Sequence, residues 1–84
     1  MDILAKLKAK ICKINVTIEE NEIPENEGLL KAGVIDSFGF VELVTYIEDE
    51  FEIEFAEGEI DEHNFKNIVA IANFIQNKLV QKSH

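Results

Sequence analysis

The chain has 84 residues, a hydrophobic fraction of 46%, and 17 acidic residues against 8 lysines with no arginine, for a net charge of −9. That length supports one modest core, a single domain over residues 1–84, and the apolar content excludes intrinsic disorder. A surface this acidic excludes nucleic acid and anionic membranes as partners and fits proteins that present basic surfaces.

Residues 2–14 read as an amphipathic helix. Ile3, Leu4, Leu7, Ile11 and Ile14 recur at spacings of three and four, and Asp2 is placed to cap the start. Cys12 is the sole cysteine, which rules out an intramolecular disulfide and suits a reducing compartment. It reads as a small, partly buried apolar residue, because neither a histidine nor a CxxC partner stands beside it. Lysines interrupt the apolar residues of the opening segment, so no signal peptide is expected and the chain reads as cytoplasmic. No stretch reaches the length of a membrane span.

A long polar connection runs from Asn15 to about Ile35, punctuated by Pro24, Gly28 and Gly33. Its apolar residues Leu29, Leu30, Val34 and Ile35 are expected to pack across the helix ends. A second helix is predicted from Ser37 to about Glu50. Ile53 and Phe55 then lead into an acidic connection ending near Glu59, and residues 60–65 are expected to form one short helical turn. Asn67 is suited to cap a last helix whose apolar stripe is Ile68, Ile71, Ala72, Ile75 and Leu79. The predicted architecture is all-α: a small four-helix bundle of three main helices plus one short helix, with a long first loop.

The second helix has two distinct faces. At about 100° per residue, Phe40, Leu43, Val44, Ile47 and Phe51 fall within an arc of roughly 100° and form the core side. Phe38, Val41, Glu42, Thr45, Glu48 and Asp49 lie opposite. Apolar groups ringed by carboxylates suit a docking surface better than a purely solvated one. This face begins beside Asp36-Ser37. Such a pair commonly does no more than cap a helix. It also sets a hydroxyl where unpaired N–H groups and partial positive charge favour a phosphate.

The ordered set of Gly33, Asp36-Ser37-Phe38, Val41-Glu42-Leu43-Val44, Glu48-Asp49-Glu50, Phe51, Ile53 and Asn64-Phe65 resembles the acyl carrier protein family across nearly the whole chain. The resemblance implies that Ser37 is the attachment site for 4′-phosphopantetheine, transferred from coenzyme A by a separate phosphopantetheinyl transferase. Asp36 would cap the helix and help present Ser37. Glu42, Glu48 and Asp49 match the family's docking carboxylates, with Phe38 and Val41 as apolar neighbours and Thr45 on the same face. Partners would be acyl-loading and acyl-processing enzymes with basic docking surfaces, served by a monomer. The arm's thiol would hold acyl or aminoacyl groups as thioesters, in fatty-acid, polyketide or specialised metabolite synthesis.

No catalytic set accompanies the serine. His63 and His84 are not spaced for a triad or a metal site, and no calcium-binding DxDxDG loop is present. The chain therefore reads as a substrate of the transferase and not as an enzyme. Phe38 replaces the usual leucine of the motif, and Gly33 stands four places before Ser37 where many fatty-acid carriers have glycine three places before. Gly39 within the first turn weakens the helix by roughly a kcal/mol at most. These departures look more like a carrier of a specialised pathway. The competing reading is an unmodified acidic helical adaptor that docks a basic partner through the same face.

Overall fold

The computed structural model describes residues 2–82 and contains three α-helices, α1 (Ile3–Ile14), α2 (Ser37–Phe51) and α3 (Ile68–Lys82). Each starts where its sequence supplies a cap. Asp2 Oδ1 accepts from the Ala5 N–H at 3.1 Å, Asp36 Oδ1 from the Gly39 N–H at 2.8 Å, and Asn67 Oδ1 from the Ala70 N–H at 2.8 Å. Each bond engages one of the N–H groups that a helix start leaves without an internal partner. α2 stops at Phe51 because Glu52 turns into the left-handed region, φ 53°.

α1 packs against both other helices and is their shared wall. Ile3, Leu7 and Ile11, four residues apart, meet Leu43, Ile47 and Phe51 of α2 and Ile68, Ile71 and Ile75 of α3 in one buried cluster. Fully burying each such side chain is worth about 1.5–3 kcal/mol before the entropy of ordering the chain is set against it. Phe40 and Val44, placed on the core side from periodicity, are half-buried at its margin. Between α2 and α3 an aromatic wedge fills the gap. Phe65 lies edge-on to Phe40 (centroids 5.6 Å apart) and to Phe55 (5.4 Å), and Phe55 stacks on Phe74 at 5.7 Å. Offset and edge-on pairs of this kind add about 0.5–1.5 kcal/mol each beyond their buried area.

Residues 60–65 form the one short turn expected of them and do not extend into a longer helix. A single turn closes there, with the Phe65 N–H on the Asp61 carbonyl at 3.0 Å. The Asp61 carboxylate takes the Asn64 N–H at 2.7 Å, and the Asn64 amide reaches back to the Glu59 carbonyl at 3.0 Å. Such local side-chain bonds compete with helix growth, and a segment this short cannot offset the cost of helix nucleation. In the first connection, Leu29, Val34 and Ile35 are buried as expected, but Leu30 is 49% exposed. The turn explains it. Val34 and Ile35 both donate to the Leu29 carbonyl, which folds Leu29 inward and turns its neighbour out. The same connection contains a 3₁₀ turn at Glu20–Glu22 that periodicity did not reveal, secured by the Glu19 N–H on Glu22 Oε1 at 2.9 Å.

Gly39 is buried, and its missing side chain is a packing requirement. A Cβ there would sit 2.9 Å from Ile14 Cγ2 and 3.1 Å from Ile35 Cβ. The helix-propensity cost expected of this glycine is set against a close approach that no other residue permits. Gly39→Ala is expected to destabilise the protein by about 1–2 kcal/mol through overpacking, although alanine is the better helix former. A thermal melt that rises in the variant would show that the contact yields.

Glu59 gives a pH-dependent contribution. The Ala56 N–H donates to its carboxylate at 2.5 Å and Lys78 pairs with it at 2.9 Å, which lowers its pKa from the ordinary 4.5. A group depressed on folding stabilises above its unfolded pKa, and that contribution is lost as pH falls through the folded value. The stability gap between wild type and Glu59→Gln, measured by denaturant titration, should be constant above pH 4.5 and shrink below it. A gap that widens on acidification would contradict the assignment.

Candidate functional site

Ser37 is the first residue of α2 and is exposed. Its position is set from both sides. Ile35, two residues before, is 5% exposed and anchored in the core, and Gly39, two residues after, is clamped between Ile14 and Ile35. Asp36 fixes the helix start by accepting the Gly39 N–H. The backbone is thus held while the side chain between these points faces outward. The Ser37 hydroxyl makes no hydrogen bond to any described residue. Around it lie the orphan N–H groups and positive pole of a 15-residue helix, which favour a phosphate ester on that oxygen.

The face beyond Ser37 brings most of the predicted docking residues together. Phe38 is 83% exposed and Val41 62%. Val41, Glu42, Thr45 and Asp49 line one shallow hollow of about 440 Å³, with Lys10 of α1 and Tyr46 and Glu50 of α2 completing its rim. Lys10 Nζ lies 5.6 Å from the centre of the Tyr46 ring, and Glu50 is paired with Lys6. Sequence periodicity missed Lys10 and Tyr46 because their pairing depends on how α1 lies across α2.

Glu48 belongs to this face less fully. It is half-buried, and its Oε2 accepts the Phe55 N–H at 3.1 Å, holding the chain as it leaves α2. Altering Glu48 disturbs that turn as well as the surface charge. Glu42 and Asp49 are the cleaner probes of docking.

No activating base accompanies Ser37. The hollow that contains it is lined by neither histidine nor lysine, and His63 is exposed on the turn between α2 and α3. His84 lies outside the described residues. A serine without a base is a poor nucleophile at neutral pH. Cys12 offers no alternative nucleophile. Burial, reinforced by the charges of Glu20, Glu19 and Glu22, pushes its thiol pKa up and keeps it protonated. Among the described residues no cluster of His, Cys, Asp and Glu is placed to hold a metal ion, and no helix is long and apolar enough to cross a membrane.

Residues 3–75 match the family model of the phosphopantetheine attachment site. The chain belongs to this family. It is a phosphopantetheine carrier, bearing the group covalently, and not an enzyme. No curated protein matches the sequence significantly. Within the matched span Ser37 is the only serine, since Ser83 falls beyond it. The carrier's membership also implies interaction with a phosphopantetheinyl transferase and with biosynthetic enzymes.

Asp36 combines two properties that substitution separates. Asp36→Ala should cost about 1 kcal/mol of stability by removing the cap, whereas Asp36→Asn, which retains an acceptor, should stay within a few tenths. Equal losses in denaturant melts of the two variants would mean that charge, not the hydrogen bond, is what the helix start needs.

Proposed function

We propose that the chain is an acyl carrier protein whose arm is attached at Ser37, one carrier domain over residues 1–84 working as a cytoplasmic monomer. One observation carries the reading. The only serine of the family match stands exposed at a capped helix start, with its hydroxyl engaged by none of the described residues. In the loading reaction Ser37 Oγ attacks the pyrophosphate of coenzyme A at the phosphorus that bears the pantetheine. The new O–P bond forms, the pyrophosphate P–O bond breaks, and the nucleotide leaves with its phosphate while the hydroxyl proton passes to the transferase. The α2 N–H groups stabilise the phosphodiester that results. Once attached, the group supplies a terminal thiol that holds acyl or aminoacyl cargo as a thioester.

The docking face directs partners to this point. Phe38 and Val41 supply an apolar centre, and Glu42 and Asp49 a charged rim, with Thr45 between them. Their charge speeds encounter with the basic surfaces of acyl-loading and acyl-processing enzymes. The tether then raises the cargo's local concentration, to roughly millimolar for a short flexible linker, at whichever active site is docked. Fatty-acid, polyketide or specialised metabolite synthesis would each use such a carrier. Phe38 in place of leucine and the Gly33 spacing favour the specialised class.

Incubation with coenzyme A and a broad-specificity transferase should add the mass of one phosphopantetheinyl group, and Ser37→Ala should abolish the gain. A gain that persists in Ser37→Ala would place the arm elsewhere. If Ser37→Ala left cellular function intact while charge reversal at Glu42 abolished partner binding, the unmodified adaptor would be the better description.

A further inference from the structure

Three of the eight lysines are committed to carboxylates: Lys6 to Glu50, Lys8 to Glu25 and Lys78 to Glu59. Lys10 is different. It lines the hollow of the docking face beside Glu42, Asp49 and Glu50, yet among the described residues it forms no ion pair. Its Nζ stands instead over the Tyr46 ring, 5.6 Å from the centre. An aromatic face attracts an ammonium through its quadrupole and leaves the full charge in place. Nor is the position loose. Ile11, the next residue, is fully buried in the core, and Lys10 itself is half-buried.

The face therefore carries a fixed charge pattern. Glu42 and Asp49 are seven residues apart on α2, about 10 Å along the axis, and Tyr46 stands on the turn between them. Lys10 is the only cation lining the hollow. Resting on the docking reading of this face, we propose that Lys10 is a specificity-determining residue that selects partner surfaces whose basic groups are interrupted by a carboxylate. Two basic side chains of such a partner meet Glu42 and Asp49, and the carboxylate between them meets the Lys10 ammonium. A partner with an unbroken basic run places a cation against Lys10 instead. That like-charge contact weighs against it and is absent from the matched partner. The net charge of −9 attracts both kinds of surface. The choice between them falls to the one positive group among the acids.

Two synthetic helical peptides, identical except at one position, test this. Both carry arginines seven residues apart, and the residue between them is glutamate in one and arginine in the other. Their dissociation constants for the full chain are read from amide shifts in a low-salt NMR titration, which also maps where each binds. Lys10→Gln should move the ratio of the two constants by about two- to fivefold in favour of the all-arginine peptide, the size of one exposed charge contact. Lys10→Arg, which keeps the charge, should keep the wild-type ratio. Lys31→Gln, which removes a lysine outside the hollow, should keep it too. Glu42→Gln should weaken both peptides. A ratio unmoved by Lys10→Gln, or moved as far by Lys31→Gln, would overturn the selection and leave the docking face standing if Glu42→Gln still weakens both. Peptides that shift neither Val41 nor Thr45 and are indifferent to Glu42→Gln would overturn the docking face, and the selection with it.

Discussion

The structure turns on the absence of a side chain at residue 39. At that point the first turn of α2 meets Ile14 from the end of α1 and Ile35 from the end of the long connection, at distances that admit no Cβ. The Gly39 N–H is also the group that Asp36 caps. One residue therefore joins the helix start, the loop that precedes it and the helix it packs on. Ser37 is placed by this junction. Its neighbours on both sides, Ile35 and Gly39, are packed in the core, while the serine itself is exposed.

From that junction the molecule separates its duties by surface. α1 spends its buried face on both other helices, and the aromatic wedge of Phe40, Phe55, Phe65 and Phe74 closes the gap that α1 does not cover. Among the described residues, six large apolar side chains are left exposed: Phe38 and Val41 on α2 beyond Ser37, Val16 and Leu30 on the first connection, and Ile60 and Val80 elsewhere. Ion pairs such as Lys6–Glu50 and Lys8–Glu25 join α1 to its surroundings, but solvent screening leaves exposed pairs little weight in the stability. Stability comes from the buried aliphatics.

Much of this was legible from spacing. The three helices begin within one residue of where Asp2, Asp36 and Asn67 suggested, because capping is a local bond between a side chain and an amide three residues on. The stripe Ile68, Ile71, Ile75 was equally readable, since helical periodicity is intrinsic to the chain. The short turn over residues 60–65 was readable too, whereas the side-chain bonds of Asp61 and Asn64 that hold it to a single turn were not. Glu48 was read as purely superficial because nothing in its spacing reveals the Phe55 N–H seven residues away.

By itself the sequence determined the helices, their caps, the acidic surface and the serine at a helix start. These depend on interactions within a few residues or on composition. Only the tertiary structure decided why Gly39 stands in a helix, which way Leu29 and Leu30 turn, how Lys10 comes to lie over Tyr46, and that Ser37 lines a hollow whose sole charged wall residue is Asp36. The physical reason is that each of these involves groups distant in the chain, brought to van der Waals or hydrogen-bond range by burial of the shared core, and no local pattern encodes such distances.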